Sequence, residues 1–328
     1  MTLDLLLTNL LSPPVLFFFL GMVAVVVRSD LTIPEPLPKL FALYLLWAIG
    51  FKGGVSLRES GFETTAFLLL GAGVALSAIT PIYIRPLLRL KFNEADACAV
   101  AAAYGSVSVV TFITAKNFIE AQGIAYSPHL VAALALMESP AIVAGVLLYN
   151  RRTKRDEQAH HATARELFQE AVFSGPVFLL LGSMAAGALS GPAGWATLRP
   201  FCEDIFHGVL VLFLLESGMV ACRRLRELGG AFRWAAIFGV ALPMLNAVIG
   251  LVVARLIGAD IGDAFLFVIL AASASYIAVP AAMRLAIPEA NAGLYLPMAL
   301  AISFPFNIAL GIPLYLEVIR TLWPSGAP

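Results

Sequence analysis

Charge is scarce in this sequence. Asp, Glu, Lys and Arg make up 13% of its 328 residues, against about a quarter in an ordinary soluble domain. Basic and acidic side chains balance at 21 each, and a chain with no basic surplus lacks the electrostatic footprint of a nucleic-acid-binding protein. Cysteine is equally thin. Cys98, Cys202 and Cys222 are odd in number and far apart, so they offer neither a disulfide framework nor a metal-ligand spacing. His160 and His161 sit side by side in a polar stretch and read as solvated, while His129 and His207 lie near the ends of apolar runs and receive no role. The sequence contains no HExxH, no Gly-rich phosphate loop and no Ser-His-Asp order, so no chemical step has a visible carrier and the chain reads as a non-enzyme. Met1 to Ser12 has no cationic n-region, so the first apolar run is not read as a cleavable signal. The ten-residue alternation of an outer-membrane barrel is also missing.

What is abundant is apolar surface. Hydrophobic residues make up 60% of the chain, which places it among all-α polytopic membrane proteins with the lipid bilayer as solvent. Long apolar runs fall near 13–28, 37–57, 63–88, 95–117 and 126–150, and after a polar break near 166–190, 202–222, 232–257, 262–286 and 294–318. That pattern predicts ten transmembrane helices. The hydrophilic linker, residues 150–166 ("NRRTKRDEQAHHATARE"), separates residues 1–149 from residues 167–328, with five runs in each half. Fifteen Lys and Arg residues fall in loops after odd-numbered runs, among them Arg85, Arg89, Arg151, Arg152, Arg223 and Arg224; five fall after even-numbered runs or in the tail. The positive-inside rule then makes the linker cytoplasmic and puts both termini outside. The cluster Arg223, Arg224, Arg226 and Arg233 also suits anionic headgroups or a regulatory protein.

The two halves resemble each other. Gly105–Ser108 ("GSVS") aligns with Ala272–Ser275 ("ASAS"), and Asp96 falls on Asp263 at the same offset. "GVLLY" at Gly145–Tyr149 matches "GIPLY" at Gly311–Tyr315, and "KGG" at Lys52–Gly54 sits against "ESG" at Glu216–Gly218. An odd number of spans per half inverts the second copy, which predicts two inverted five-helix repeats with discontinuous helices 4 and 9 crossing near the midplane. On that reading Gly105, Ser106, Ser108, Thr111, Ser273, Ser275 and Tyr276 line a substrate site, with Gly105 and Pro280 opening the helices toward a small anion. The other reading of the same serines is helix-packing glue, with hydroxyls bonding across an interface.

Ionisable residues inside apolar runs are the remaining candidates. Glu138, ahead of Pro140, is either a carrier of a cation or proton, or a carboxylate accepting from N–H groups freed beside the proline. Lys52 is either a fixed ammonium near the site, one half of a pair with its repeat counterpart Glu216, or a lysine snorkelling to an interface. Glu138, Lys52 and Glu216 are thus the coupling-ion candidates; no metal-binding set is identified. Asp96 and Asp263 fall at helix starts and are expected to cap them. Asn246 and Asn307, each after a proline, are polar groups near helix breaks.

The motifs "LLWAIGFKGGVSLRES" (Leu45–Ser60), "YGSVSVVT" (Tyr104–Thr111), "SGPVFLLLGSMAAG" (Ser174–Gly187), "AASASYIAVP" (Ala271–Pro280) and "AIPEANAGLY" (Ala286–Tyr295) together resemble the SbtA-type sodium-dependent bicarbonate transporter family. The resemblance implies a bacterial inner-membrane secondary transporter with core and gate domains, bicarbonate as substrate and sodium as coupling ion. It also implies homotrimeric assembly, and it makes a PII-like cytoplasmic protein a candidate regulator. The alternative kept beside it is an anion-binding receptor or channel-like sensor, or a transporter of another small carboxylate. Tyr276 stands where the family's second serine motif commonly carries Asp, and Glu138 where the cyanobacterial proteins carry Asp. Tyr276 in place of that Asp, together with the added positive charge of Lys52, leads us to expect transport that depends only weakly on sodium, with Glu138 as the remaining place for a coupling cation or proton.

Overall fold

The computed structural model describes residues 3–34, 36–60, 64–152 and 175–323, and the secondary structure among them is helical. Most of the linker, with His160 and His161, lies outside the described residues. Helix is what the composition dictates. In hydrocarbon each backbone N–H and C=O must be satisfied within its own segment, and the apolar runs are long enough to do so. A short helix α1 (Leu3–Leu10) precedes α2 (Pro13–Val26), α3 (Pro36–Ser60), α4 (Thr64–Leu88), α5 (Glu94–Gly105), α6 (Val109–Ala121), α7 (His129–Leu136) and α8 (Pro140–Arg152). After the linker come α9 (Gly175–Arg199), α10 (Phe206–Leu225), α11 (Phe232–Ile257), α12 (Ile261–Ala272) and α13 (Ala278–Ala286). The chain ends in α14 (Ala292–Pro297), the single turn α15 (Phe304–Phe306) and α16 (Ile312–Leu322), joined through two wide π-helical turns.

Most helix bounds follow the apolar runs, although the run at 166–190 corresponds to a helix at Gly175–Arg199, and three runs prove to be pairs of helices: 95–117 is α5 and α6, 126–150 is α7 and α8, and 262–286 is α12 and α13. Six helical stretches among the described residues are long and apolar enough to cross a bilayer; one of them, Gly175–Ile257, contains α9, α10 and α11. The chain is therefore a polytopic α-helical membrane protein.

The helices sort into two bundles. In the smaller, α3 packs along α9 and α2 along α10, with α3 also touching α10. The larger holds α4 to α8 with α11 to α16, built on α4–α5, α5–α8 and α11–α12 contacts. Without a hydrophobic driving force between helices in lipid, close backbone approach at small residues is what holds such pairs together. Glycine provides that approach here. A Cβ at Gly21 would stand 2.0 Å from the Leu215 carbonyl oxygen and one at Gly218 1.9 Å from that of Phe18. The α3–α9 pair repeats the pattern: a Cβ at Gly54 would stand 1.9 Å from the Met184 oxygen and one at Gly187 2.2 Å from that of Phe51.

Asp96 and Asp263 do something other than the expected capping. Asn93 caps α5, its Oδ1 accepting from the Asp96 N–H at 2.8 Å. Asp96 itself accepts from the Asn291 N–H at 2.7 Å, 195 positions away. Asp263 accepts from the N–H and the hydroxyl of Ser127 at 2.5 and 2.6 Å. Each aspartate clasps the loop that leads into a helix of the other half of the sequence through charge-assisted bonds; at the start of α5 the capping is done by Asn93.

Candidate functional site

Two broken helices meet inside the larger bundle. α5 stops at Gly105, Ser106 to Ser108 are extended, and α6 starts at Val109. α12 stops at Ala272, and the chain turns through Ser273–Ile277 before α13 begins. The breaks are bonded to one another: the Ser275 N–H donates to the Ala103 carbonyl and the Ser108 N–H to Ser273 Oγ, both at 2.9 Å. The carbonyls freed at the two C-termini are taken by asparagines. Asn246 Nδ2 donates to Tyr104 O at 3.0 Å, and Asn307 Nδ2 to Ala272 O at 2.9 Å. A tyrosine hydroxyl orients each amide, Tyr83 on Asn246 at 2.7 Å and Tyr315 on Asn307 at 3.1 Å. Unpaired carbonyls buried at these positions would each cost about 1–3 kcal/mol, which gives both asparagines a structural reason to be there.

The serines of the two motifs come together, but much of their bonding capacity goes to the backbone. Ser106 Oγ donates to Glu138 O at 2.8 Å, Ser273 Oγ donates to Leu270 O at 3.0 Å, and Ser108 Oγ accepts from the Thr111 N–H as the cap of α6. Ser275 and Thr111 are buried beside them. Gly105 marks a close approach: a Cβ there would lie 2.8 Å from that of Ala141 and 2.9 Å from Pro81. The second break falls at Ser273–Ile277 and not at Pro280, which sits in the first turn of α13; a proline is tolerated there because first-turn N–H groups have no helical partner.

A cavity of about 650 Å³ runs between the two bundles to these breaks. Its walls are Leu45, Leu46 and Phe213 from the smaller bundle and Val109, Val110 and Ile113 from the start of α6. Its polar lining is Glu138, Glu216, Ser217 and Tyr276, with Lys39 and Arg224 also on its wall. Glu138 sits in the break between α7 and α8. The carbonyls of that break are satisfied from elsewhere, Met137 O by Ser77 at 2.7 Å and Glu138 O by Ser106, and Glu138 lines the cavity. Tyr276 also lines it, its ring packed edge-on against Phe304 at 5.6 Å between centroids.

Lys52 is elsewhere. Of the readings open for it, the pair with Glu216 does not form: Lys52 Nζ lies 2.9 Å from Glu203 and 3.8 Å from Glu120, while Glu216 faces the cavity. Lys116 joins the same group, 2.9 Å from Glu120, and so does Arg199, 2.8 Å from Glu203. The Tyr126 hydroxyl donates to Glu120 at 2.7 Å. This cluster went unread in the sequence. Its one local signal is the i, i+4 spacing of Lys116 with Glu120 and of Arg199 with Glu203, which on a helix marks a side-chain pair but not its purpose.

Two broken helices bonded to each other at their breaks, and a cavity between two bundles lined by carboxyls, fit the class of membrane transport proteins. The sequence profile of the Na+-dependent bicarbonate transporter superfamily matches residues 13–320, and the protein belongs to that family. No individual curated protein matches the chain.

Proposed function

We propose that this protein is a secondary transporter of a small anion, bicarbonate foremost, working by alternating access in a bacterial inner membrane. The observation that carries this reading is the cavity of about 650 Å³ between the two bundles that reaches Val109 and Tyr276 at the two helix breaks. α6 and α13 both begin at those breaks, so their N-terminal N–H groups and positive dipole ends meet where an anion would rest. Glu138 and Glu216 line the same cavity. An anion brought beside two carboxylates in a poorly screened cavity is repelled unless a cation or proton arrives with it, and that repulsion is the physical origin of coupling in this reading.

Sodium fits this donor set poorly. A hard cation wants several oxygen ligands with a carboxylate among them, and at the second break Tyr276 stands where the family resemblance implies an acid, so no carboxylate of that motif joins its hydroxyls. Transport would therefore depend weakly on sodium, with Glu138 as the carrier of the coupling cation or proton.

The architecture we propose is ten spans in two inverted five-helix repeats, 1–149 and 167–328, with α2, α3, α9 and α10 as the gate and the remaining helices as the core. The swapped glycine contacts of α2–α10 and α3–α9 and the reciprocal clasps of Asp96 and Asp263 support it, since each is a contact made twice with the halves exchanged. The linker would be cytoplasmic and both termini outside. A homotrimer and a PII-like regulator complete the proposal, tested by mass measurement in detergent and by pull-down. Uptake of labelled bicarbonate into proteoliposomes, with and without a sodium gradient, tests the function.

A further inference from the structure

The cavity and the ion-pair cluster lie at opposite ends of one interface. On α3, Leu45 and Leu46 face the cavity and Lys52 the cluster. On α6, Val110 and Ile113 face the cavity while Lys116 and Glu120 face the cluster. α10 repeats the order in reverse along the chain, with Phe206 at the cluster and Glu216 at the cavity. Around Lys52 and Lys116 lie two small spaces of about 50 and 70 Å³, against about 650 Å³ for the cavity.

The membership of the cluster is what gives it meaning. Lys52 and Glu203 belong to the smaller bundle, with Arg199 beside them; Lys116, Glu120 and Tyr126 belong to the larger. Lys52 is the member that spans both, touching Glu203 at 2.9 Å within its own bundle and Glu120 at 3.8 Å across the interface. Within each bundle the bonds are short: Lys116 and Tyr126 hold Glu120, and Arg199 holds Glu203. The contact between bundles is the long one. If the bundles part at this end, Glu120 keeps Lys116, Glu203 keeps Arg199, and Lys52 keeps Glu203. No charge is stranded in an apolar setting, which is the condition for a contact that must break and re-form without a large penalty.

We propose that Lys52 and Glu120 form an ionic latch that closes the end of the pathway opposite the cavity mouth, and that this latch opens in the other half of the transport cycle. The proposal rests on the alternating-access reading. The chain thereby places a lysine as a resident cation at its gate and not at its substrate site.

The test uses full-length protein in proteoliposomes, with Cys98, Cys202 and Cys222 replaced by alanine and a reporter Val109→Cys at a partly exposed position on the cavity wall. Membrane-impermeant thiosulfonate is applied to one face at a time. With the latch intact, the reporter reacts fast from the face of the cavity mouth and slowly from the other. Lys52→Gln and Glu120→Gln should each raise the slow rate by about two- to fivefold, the population shift expected of a partly exposed pair, and Lys52→Arg should restore the original rate. Raising salt should speed the slow face in the parent protein but not in Lys52→Gln. If Lys52→Gln does not fold, Glu120→Gln and the salt series still decide. Unchanged slow-face rates in the variants and across salt would overturn the latch. Anion flux measured on the same vesicles separates the two ideas: flux with unresponsive labelling sinks the latch alone, whereas responsive labelling without flux supports the latch and sinks the transport reading.

Discussion

Gly187 packs on the backbone carbonyl of Phe51 so closely that a Cβ would stand 2.2 Å from the oxygen, and Gly218 does the same to Phe18 at 1.9 Å. Both contacts join a helix of the first half to one of the second. Nothing flexible can yield there, since the obstacle is main chain. Gly187→Ala and Gly218→Ala should each destabilise the protein by about 1–3 kcal/mol, the usual range for overpacking. Gly208→Ala, on the same helix as Gly218 but in open space, should be neutral or slightly stabilising. Thermal unfolding in detergent decides; equal midpoints for Gly208→Ala and Gly218→Ala would mean that the helices do not meet this way.

The aspartate clasps give a second expectation. Asp96→Ala and Asp263→Ala should each cost about 1–3 kcal/mol, because each leaves a partner N–H without its acceptor, and the two losses should add, as they do for sites without shared partners. Hydrogen exchange should quicken at Asn291 in the first variant and at Ser127 in the second. Exchange that quickens at neither amide would remove the clasps from the account.

Ser108 and Ser275 should separate in their effects. Ser108→Ala removes the cap of α6 and should cost about 1 kcal/mol, together with a loss of anion binding as the start of that helix frays. Ser275 enters the hydrogen bonding of the break through its N–H to Ala103, a bond that Ser275→Ala keeps, so this variant should keep its melting temperature and lose affinity. Two variants with lowered stability and intact binding would make the serines packing groups only.

Much of the fold was legible because apolar runs and helices are set by the same requirement, that backbone in lipid satisfy itself. The runs at 37–57 and 232–257 became Pro36–Ser60 and Phe232–Ile257. The break after Gly105 was also legible, since a glycine and two serines interrupt an alanine-rich run. The second break was misplaced: proline looked like the interruption, but Pro280 fits the first turn of α13, and the polar residues ahead of it open the chain. Partners across the fold could not be read. Lys52 meets Glu203 across 151 positions, and only the packing of α3 on α9 brings them together. Alignment of the halves pointed to Glu216 instead, because repeat equivalence relates positions by symmetry and not by contact.

Glu138 carries the coupling in this account. Glu138→Gln keeps the shape of the side chain and removes its charge. It should retain anion exchange down a gradient while abolishing accumulation against one. Full accumulation in Glu138→Gln would move the coupling site elsewhere in the cavity, Glu216 first.

Uphill movement of the anion is tested by labelled bicarbonate uptake into proteoliposomes, in sodium and in choline buffer at fixed ionic strength, with an imposed pH gradient. Accumulation above equilibrium is expected in both buffers, with sodium changing the rate by less than about tenfold, a barrier difference of about 1.4 kcal/mol. Uptake that only ever runs downhill, or none at all above protein-free liposomes, would contradict it.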